Sequence, residues 1–338
     1  MASSGPRRER PRENGAVIYG ALDLGTNNCR LLVASPSPQG FRVIDAFSRI
    51  VRLGEGLGNQ GHLNDDAMDR TIEALRVCAN KLKWHRVSRQ RLVATEACRF
   101  SANGPAFIQR VTEETGLILE IIDRETEAHL AAAGAEPLLA ADAETAVVFD
   151  IGGGSTEVMW VKRGAASVDV LAWISMAAGV VTLSERHGGG REVEAGRYAD
   201  MRADVESLLQ PFVARVQALP DGRIGPDHLL GTSGTVTTIA GVHLGLRHYD
   251  RARVDGCWLD GADADRVTMD LRNMSYDERT RNGCIGRERA DLVLAGCAIL
   301  DEIRAAFPGQ RIRVADRGLR EGILSQMMKA DGHLGARQ

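Results

Sequence analysis

The sequence predicts an α/β protein of two similar halves facing one another across a cleft. Three observations predict it. Strand-like and helix-like segments alternate along the chain. The opening strand–turn–strand pattern returns 127 residues later, when Asp150 takes the place of Asp23. The chain has 338 residues, about twice a common domain size. Similarity on that scale points to a duplicated domain rather than a solenoid, whose period is about 20–50 residues. Clefts between two such halves are favoured ligand sites.

The elements follow in order. MASSGPRRERPRENG, residues 1–15, is polar, arginine-rich and broken by proline, which reads as a disordered tail. The first domain is expected over 16–140. AVIYGALDLGTNNCRLLVA (16–34) reads as strand, tight turn, strand, and FRVIDAFSRIVRL (41–53) continues with alternating apolar positions. DDAMDRTIEALRVCANKLKWH (65–85) carries apolar residues at helical spacing behind an aspartate cap. RLVATEACR (91–99) is a short buried strand entering a loop. A helix follows over 105–115, LILEIID (117–123) is another strand, and ETEAHLAAAGAEPLLA a helix.

After Ala140-Ala141-Asp142 the pattern restarts in a second domain, 141–320, with TAVVFDIGGGSTEVMWV. HLLGTSGTVTTIAG (228–241) passes from a strand end through a polar turn into a helix. ADLVLAGCAILDEIRAAF (290–307) is an amphipathic helix and RIRVAD (311–316) a short strand. RGLREGILSQMMK (317–329) is a closing helix. Its part over about 321–332 is a candidate to pack back on the first domain, with Met327 and Met328 in the core.

Composition narrows the function. Hydrophobic content of 44% and charged content of 26% describe an ordinary globular protein. A formal net charge of −3 argues against bulk capture of a polyanion, so no specific nucleic-acid partner is expected and an anionic ligand needs a local basic pocket. Only Lys81, Lys83, Lys162 and Lys329 are lysines among 42 basic residues. Arginine suits bidentate phosphate recognition, although biased genome composition explains the excess more simply. The six cysteines show no C-x-x-C spacing, which reads as reduced thiols in a cytoplasmic protein without a zinc cluster. No apolar run approaches 18 residues, so neither export nor membrane spanning is indicated.

The chemistry concentrates in three loops. Consecutive glycines at Gly152, Gly153 and Gly154 let backbone amides converge on one spot without Cβ atoms in the way, and such nests bind phosphate. Ser155 and Thr156 add hydroxyls. Asp150 and Glu157 add carboxylates, which a phosphate site tolerates when a divalent metal lies between the like charges. Asp23, Gly25, Thr26 and Asn27 offer a similar cradle. Thr232, Ser233 and Gly234 form a third polar turn, which alone reads equally well as a helix cap. No Gly-x4-Gly-Lys-Ser/Thr is present, against a P-loop ATPase. His85 and His187 lack metal-ligand spacing, and no spacing supports Glu96 and Glu157 as a glycosidase pair. The run Arg311, Arg313, Arg317, Arg320 fits a polyanion track or, more simply, a salt-bridged surface.

ALDLGTNNCRLLV, VFDIGGGSTEV, ATEACR with Asn103, IIDRETEAHLAAAGA, MAAGVVTLSERH, GTSGTVTTIAG, ERADLVLAG and VADRGLREGIL together carry a resemblance over about residues 16–328. The chain resembles the exopolyphosphatase / guanosine pentaphosphate phosphohydrolase family of the acetate and sugar kinase/actin-like ATPase superfamily. The resemblance implies two actin-like (ribonuclease H-like) domains, each a mixed sheet flanked by helices, closing on a polyanion bound along the cleft. It implies release of terminal orthophosphate from inorganic polyphosphate with Mg2+ or another divalent cation. Alternatives are conversion of guanosine pentaphosphate to the tetraphosphate, kinase-type phosphotransfer, or a non-catalytic sensor of alarmone or polyphosphate. Glu127 matches the family's catalytic glutamate, although its pattern alone is that of a solvated helix acid. Thr126 and His129 replace the Glu and Arg of the family's Glu-Glu-Ala-Arg segment. Arg99 matches an arginine that reaches substrate phosphates, and Arg30 an arginine of the first hairpin. Asp150 and Glu157 match metal-associated acids and Gly152–Ser155 the phosphate turn; the paired acidic turns make Asp23 a further candidate metal ligand. Longer relatives carry a further carboxyl-terminal phosphohydrolase-like domain that is not expected here, and a homodimer is the family's habit.

Overall fold

The computed structural model describes residues 17–164, 168–220, 224–309 and 311–334; the amino-terminal tail reading lies outside them. The first sheet is built from β1 (Tyr19–Leu24), β2 (Asn28–Ser37), β3 (Gly40–Ile50), β4 (Arg89–Ala94) and β5 (Glu120–Ile121), in the order β3-β2-β1-β4-β5. The first three strands form an antiparallel meander, and β4 and β5 join in parallel. The second sheet repeats this plan. β6 (Thr145–Ile151), β7 (Thr156–Arg163) and β8 (Val168–Met176) make the meander, β9 (His228–Thr232) lies parallel to β6, and β11 (Arg311–Ala315) parallel to β9. β10 (Trp258–Asp260) closes the edge antiparallel to β11. These are two mixed sheets flanked by helices, the doubled arrangement that the sequence predicts.

Duplication extends to the register. Asp23 stands opposite Arg30, and Asp150 opposite Glu157, so the two acids begin equivalent hairpins. The third strand of each meander slips register at the same place, at Val33/Ala34 and at Trp160/Val161. A bulge bends its strand and increases the local twist, which curls both meanders alike.

Local chemistry modifies several expected elements. Helix Asp65–Trp84 is capped by Asn64, whose side chain accepts from the Ala67 amide at 2.8 Å, not by an aspartate. Asp65 and Asp66 lie instead in the first turn, where they complement the helix dipole. The expected strand at 117–123 pairs only through Glu120 and Ile121. The expected loop after β4 is a short helix, Glu96–Phe100.

One face of the first sheet packs on helices Asp65–Trp84 and Gly104–Thr115 through residues such as Leu22, Leu31, Leu75, Leu92 and Phe107. The opposite faces of the two sheets are joined by an exchange. Helix Arg124–Ala135 continues from the first sheet, yet its Ala128, Ala131, Ala132 and Ala135 lie on Ala146, Val148, Met159 and Leu230 of the second. Helix Leu319–Ala330 follows the second sheet, yet Leu319, Ile323, Leu324 and Met328 pack against Tyr19, Ala21, Leu32 and Val93 of the first. The two helices cross at glycine: a Cβ at Gly134 would run into the Gly318 carbonyl, and one at Gly322 into that of Leu130. This crossing fixes the spacing between the sheets and therefore the width of the cleft above it.

Candidate active site

The turns after β1 and β6 are built alike. The Gly25 amide donates to the Asn28 carbonyl and the Gly152 amide to the Ser155 carbonyl, both at 2.9 Å. They meet tip to tip. A Cβ at Gly153 would lie 3.1 Å from Thr26 and Asn27, and one at Gly154 2.5 Å from Thr26 Oγ1. None of Gly152, Gly153 and Gly154 has a left-handed φ. Gly153 and Gly154 are glycines because another turn occupies the space a side chain would need, whereas a Cβ at Gly152 would lie 2.8 Å from the Ser155 carbonyl of its own turn. From behind, the amides of Val180 and Val181 donate to the Gly152 and Gly153 carbonyls at 2.9 Å, and Thr182 Oγ1 to that of Gly154 at 3.0 Å. With the carbonyls held there, the Gly153 and Gly154 amides keep no protein partner among the described residues and suit an anion.

The third loop closes the same cleft. Ser233, at the start of helix Ser233–His243, has φ 93°, an uncommon conformation for a non-glycine residue. Among the described residues the buried Ser233 hydroxyl and the carbonyl oxygens of the Asn27 and Asn28 side chains have no hydrogen-bond partner, while the Thr232 hydroxyl faces the Asp150 carboxylate. Buried polar groups are ordinarily satisfied, so this cluster is built for something outside the chain.

Asp23, Gly25, Thr26, Asn27, Arg30, Glu127, Asp150, Gly152–Ser155, Glu157, Ser233 and Gly234 all border one cleft. Thr232 borders its continuation. Burial raises the pKa of both Asp23 and Asp150; for Asp23 the nearby Asp150 adds to the effect, while Arg30 opposes it for both. Glu157 is 3% exposed and accepts from Ser155 Oγ and Ser175 Oγ, each at 2.8 Å. Burial, followed by the Asp150 charge, pushes its pKa up to about 7. Glu127 is raised well above the carboxylate range by burial and then by Glu157, against the lowering pull of Arg99.

Arg99 stands behind Glu127. Its guanidinium contacts Glu127 at 3.0 Å, Glu96 at 2.5 Å and the Ile122 carbonyl at 2.6 Å, while Arg124 holds the other Glu96 oxygen at 2.8 Å. Arg99 therefore orients the Glu127 carboxylate and faces a different recess from the phosphate turns. Sequence reasoning assigned no role to Arg289. Its guanidinium lies beside Gly234, where an added Cβ would sit 3.4 Å away. Among the described residues neither Arg30 nor Arg289 has an ion-pair or side-chain hydrogen-bond partner. The available signal was Glu288-Arg289-Ala290-Asp291 directly before the amphipathic helix.

The remaining readings resolve locally. His85 pairs with Asp45 at 2.8 Å and His187 with Asp204 at 2.9 Å. Arg311 and Arg317 pair with Asp260 and Asp255, Arg313 lies over the Trp258 ring, and Arg320 borders the cleft.

The Glu157 shift gives a pH dependence. Its folded-state pKa of about 7 exceeds the ordinary 4.5, so the folded chain holds this proton more tightly than the unfolded chain. Stability of the ion-free protein is expected to fall as pH rises from about 4.5 to about 7. Asp23 and Asp150 are displaced in the same direction. Urea unfolding at about pH 5 and pH 7.5 checks this, and Glu157→Gln is expected to reduce the slope.

The profile of the Ppx/GppA phosphatase family matches residues 32–331. The chain is 30% identical over 316 residues to Exopolyphosphatase 2 of Mycobacterium tuberculosis, covering 90% of this chain and 96% of that protein. A crystal structure of the Aquifex aeolicus Ppx/GppA family member superposes with TM-score 0.76 at 27% identity, covering 94% of this chain and 99% of that one. An exopolyphosphatase from Cytophaga hutchinsonii shares the fold at TM-score 0.85 and 23% identity, covering 93% and 98% of the two chains.

Proposed function

Because the chain belongs to the Ppx/GppA phosphatase family, whose exopolyphosphatases hydrolyse phosphoanhydrides, we propose that it releases terminal orthophosphate from inorganic polyphosphate in a reaction that uses Mg2+ or another divalent cation. The observation that carries this reading is the meeting of two turns, with the free amides of Gly153 and Gly154, two unpaired arginines and the half-buried Glu127 in one cleft.

Hydrolysis of a phosphoanhydride needs positioning, charge neutralisation and a carboxylate to orient water. The Gly153 and Gly154 amides and the Ser233 hydroxyl hold the terminal phosphate, and Arg30 and Arg289 take charge from its neighbours. Glu127, held by Arg99, accepts the proton of a water whose oxygen bonds to the terminal phosphorus. The bridging oxygen leaves with the shortened chain.

Asp23 and Asp150 suit a small hard cation: both are oxygen donors whose ionised forms are disfavoured by burial, and a cation would relieve their repulsion. Among the described residues no three His, Cys, Asp or Glu side chains gather closely enough to enclose an ion. Water and substrate oxygens would therefore complete the shell, with Glu157 close enough to Asp150 to feel its charge. When bound, the cation supplies charge neutralisation on the phosphate oxygens.

No helix among the described residues is long and apolar enough to cross a membrane, and all six cysteines are free thiols. Both fit the proposed cytoplasmic setting. The test compares orthophosphate release from tripolyphosphate, long-chain polyphosphate, guanosine pentaphosphate and ATP at equal anhydride concentration with Mg2+. Preference for inorganic chains is expected. Preference for the guanosine nucleotide would replace polyphosphate as substrate, and binding without release would identify a sensor.

A further inference from the structure

Apart from the helix crossing, the two halves meet through the bend that follows β3. The Val51 and Arg52 amides both donate to the Asn27 carbonyl, at 2.9 and 3.1 Å, and the Gly54 amide to the Thr26 carbonyl at 2.9 Å. The bend is thereby laid against the first turn. These bonds hold Arg52 at φ 49°, a left-handed conformation that a non-glycine residue keeps only where its surroundings impose it. From there the side chain crosses to the second half. Its Nη2 donates to the Glu288 carbonyl at 3.1 Å and to Asp291 Oδ1 at 3.2 Å, one on each side of Arg289 in the chain. The Gly56 amide makes a second crossing, to Glu185 Oε1 at 3.0 Å. Glu185 belongs to helix Val180–Arg186, whose first amides hold the carbonyls of Gly152 and Gly153.

We propose that Arg52 is a positioning residue for Arg289: by clasping the chain on both sides of it, Arg52 keeps the Arg289 guanidinium beside Gly234 in the cleft. The proposal rests on the phosphate reading of that cleft. It makes the first turn, through Asn27 and Arg52, a determinant of where the second half presents its free arginine.

Arg289 needs such support. It is half-buried, and burial, followed by the charge of Arg30, lowers the pKa of its guanidinium. The place therefore disfavours a second cation until an anion arrives. A long side chain in that position relaxes away unless its backbone is fixed. The second half fixes one side of this turn: the Leu292 and Val293 amides donate to the Arg289 carbonyl at 2.9 and 3.0 Å, and a Cβ at Gly190 would run into the Asp291 carbonyl. Arg52 fixes the other side. A cation held in place beforehand stabilises developing phosphate charge without reorganisation. The Arg52 and Asp291 side chains are 33% and 23% exposed, and a solvent-screened pair adds little to stability. The effect of the clasp is on geometry.

The experiment is a double-mutant cycle of Arg52→Gly with Arg289→Gln. Glycine removes the guanidinium and suits the left-handed backbone, so the bend survives. The cycle measures kcat/KM for orthophosphate release from tripolyphosphate in the active protein, and Kd for tripolyphosphate with Mg2+ in the Glu127→Gln protein. Each single variant is expected to weaken both constants about tenfold. The double variant is expected to fall within about twofold of Arg289→Gln alone, because residues that act through one another are not additive. Losses that multiply to about 100-fold, as independent sites would give, overturn the proposal. Unchanged binding in Arg52→Gly also overturns it. The urea midpoint of Arg52→Gly is expected to match that of the unaltered protein. If Arg52→Gly does not fold, Asp291→Asn, which keeps the size and removes the charge of the clasp, takes its place in the cycle with the same non-additivity expected. Tripolyphosphate bound but not hydrolysed by the unaltered protein would remove the functional reading alone, because the Kd cycle still reports the coupling. Multiplying losses in an active enzyme would remove the positioning role alone, and an unaltered protein that binds no tripolyphosphate would overturn both.

Discussion

Glu127→Gln is expected to lower kcat for orthophosphate release by about 10²–10⁴-fold, with substrate Kd changed by less than about threefold. The amide keeps the size and the contact to Arg99 but cannot accept the proton of the attacking water. Only the ionised carboxylate works as the base, and burial with Glu157 raises its pKa above the ordinary 4.5. The rate should therefore climb with pH through a range higher than an exposed glutamate would give. Stopped-flow phosphate detection and calorimetric titration of the variant separate the two constants. Full turnover in the variant would remove Glu127 from the role of base.

Gly154→Val is expected to be nearly as damaging to turnover and, unlike the first, to cost stability. Its Cβ would enter within 2.5 Å of Thr26 Oγ1 and 3.1 Å of Glu96 Cγ. The turns must part, or the Glu96 platform that holds Arg99 must shift. Overpacking of this kind costs about 1–3 kcal/mol, and misplacing catalytic groups by about 1 Å costs on the order of 100-fold in rate. Chemical denaturation and kcat/KM measure both. Gly196→Ala, where an added Cβ meets open space, provides the comparison and should leave turnover as it was.

Much of this arrangement was legible because it is written in local chemistry. An acid, an apolar residue and glycine between two runs of strand formers specify a hairpin, and writing it twice specifies two equivalent halves. The meaning of the three glycines was only half legible. Their lack of side chains was readable, but the reason for it at Gly153 and Gly154, contact with the Thr26–Asn27 turn 127 residues away, is tertiary. The exchange of helices was also hidden. Ala128, Ala131, Ala132 and Ala135 mark an apolar face but carry no signal of which sheet it covers. Arg99 illustrates the same limit: its sequence neighbours Cys98 and Phe100 do not disclose that Glu96 and Glu127 enclose it. Arg289 lies far from every turn in sequence, and only folding brings it to Gly234.

The central claim is that water held by Glu127 attacks the terminal phosphorus of a chain cradled by the two turns. Hydrolysis of inorganic polyphosphate in ¹⁸O-labelled water tests it most directly. The label is predicted in the released orthophosphate and absent from the newly exposed end of the remaining chain; label at that new end would mean attack on the inner phosphorus and would contradict the placement of Glu127.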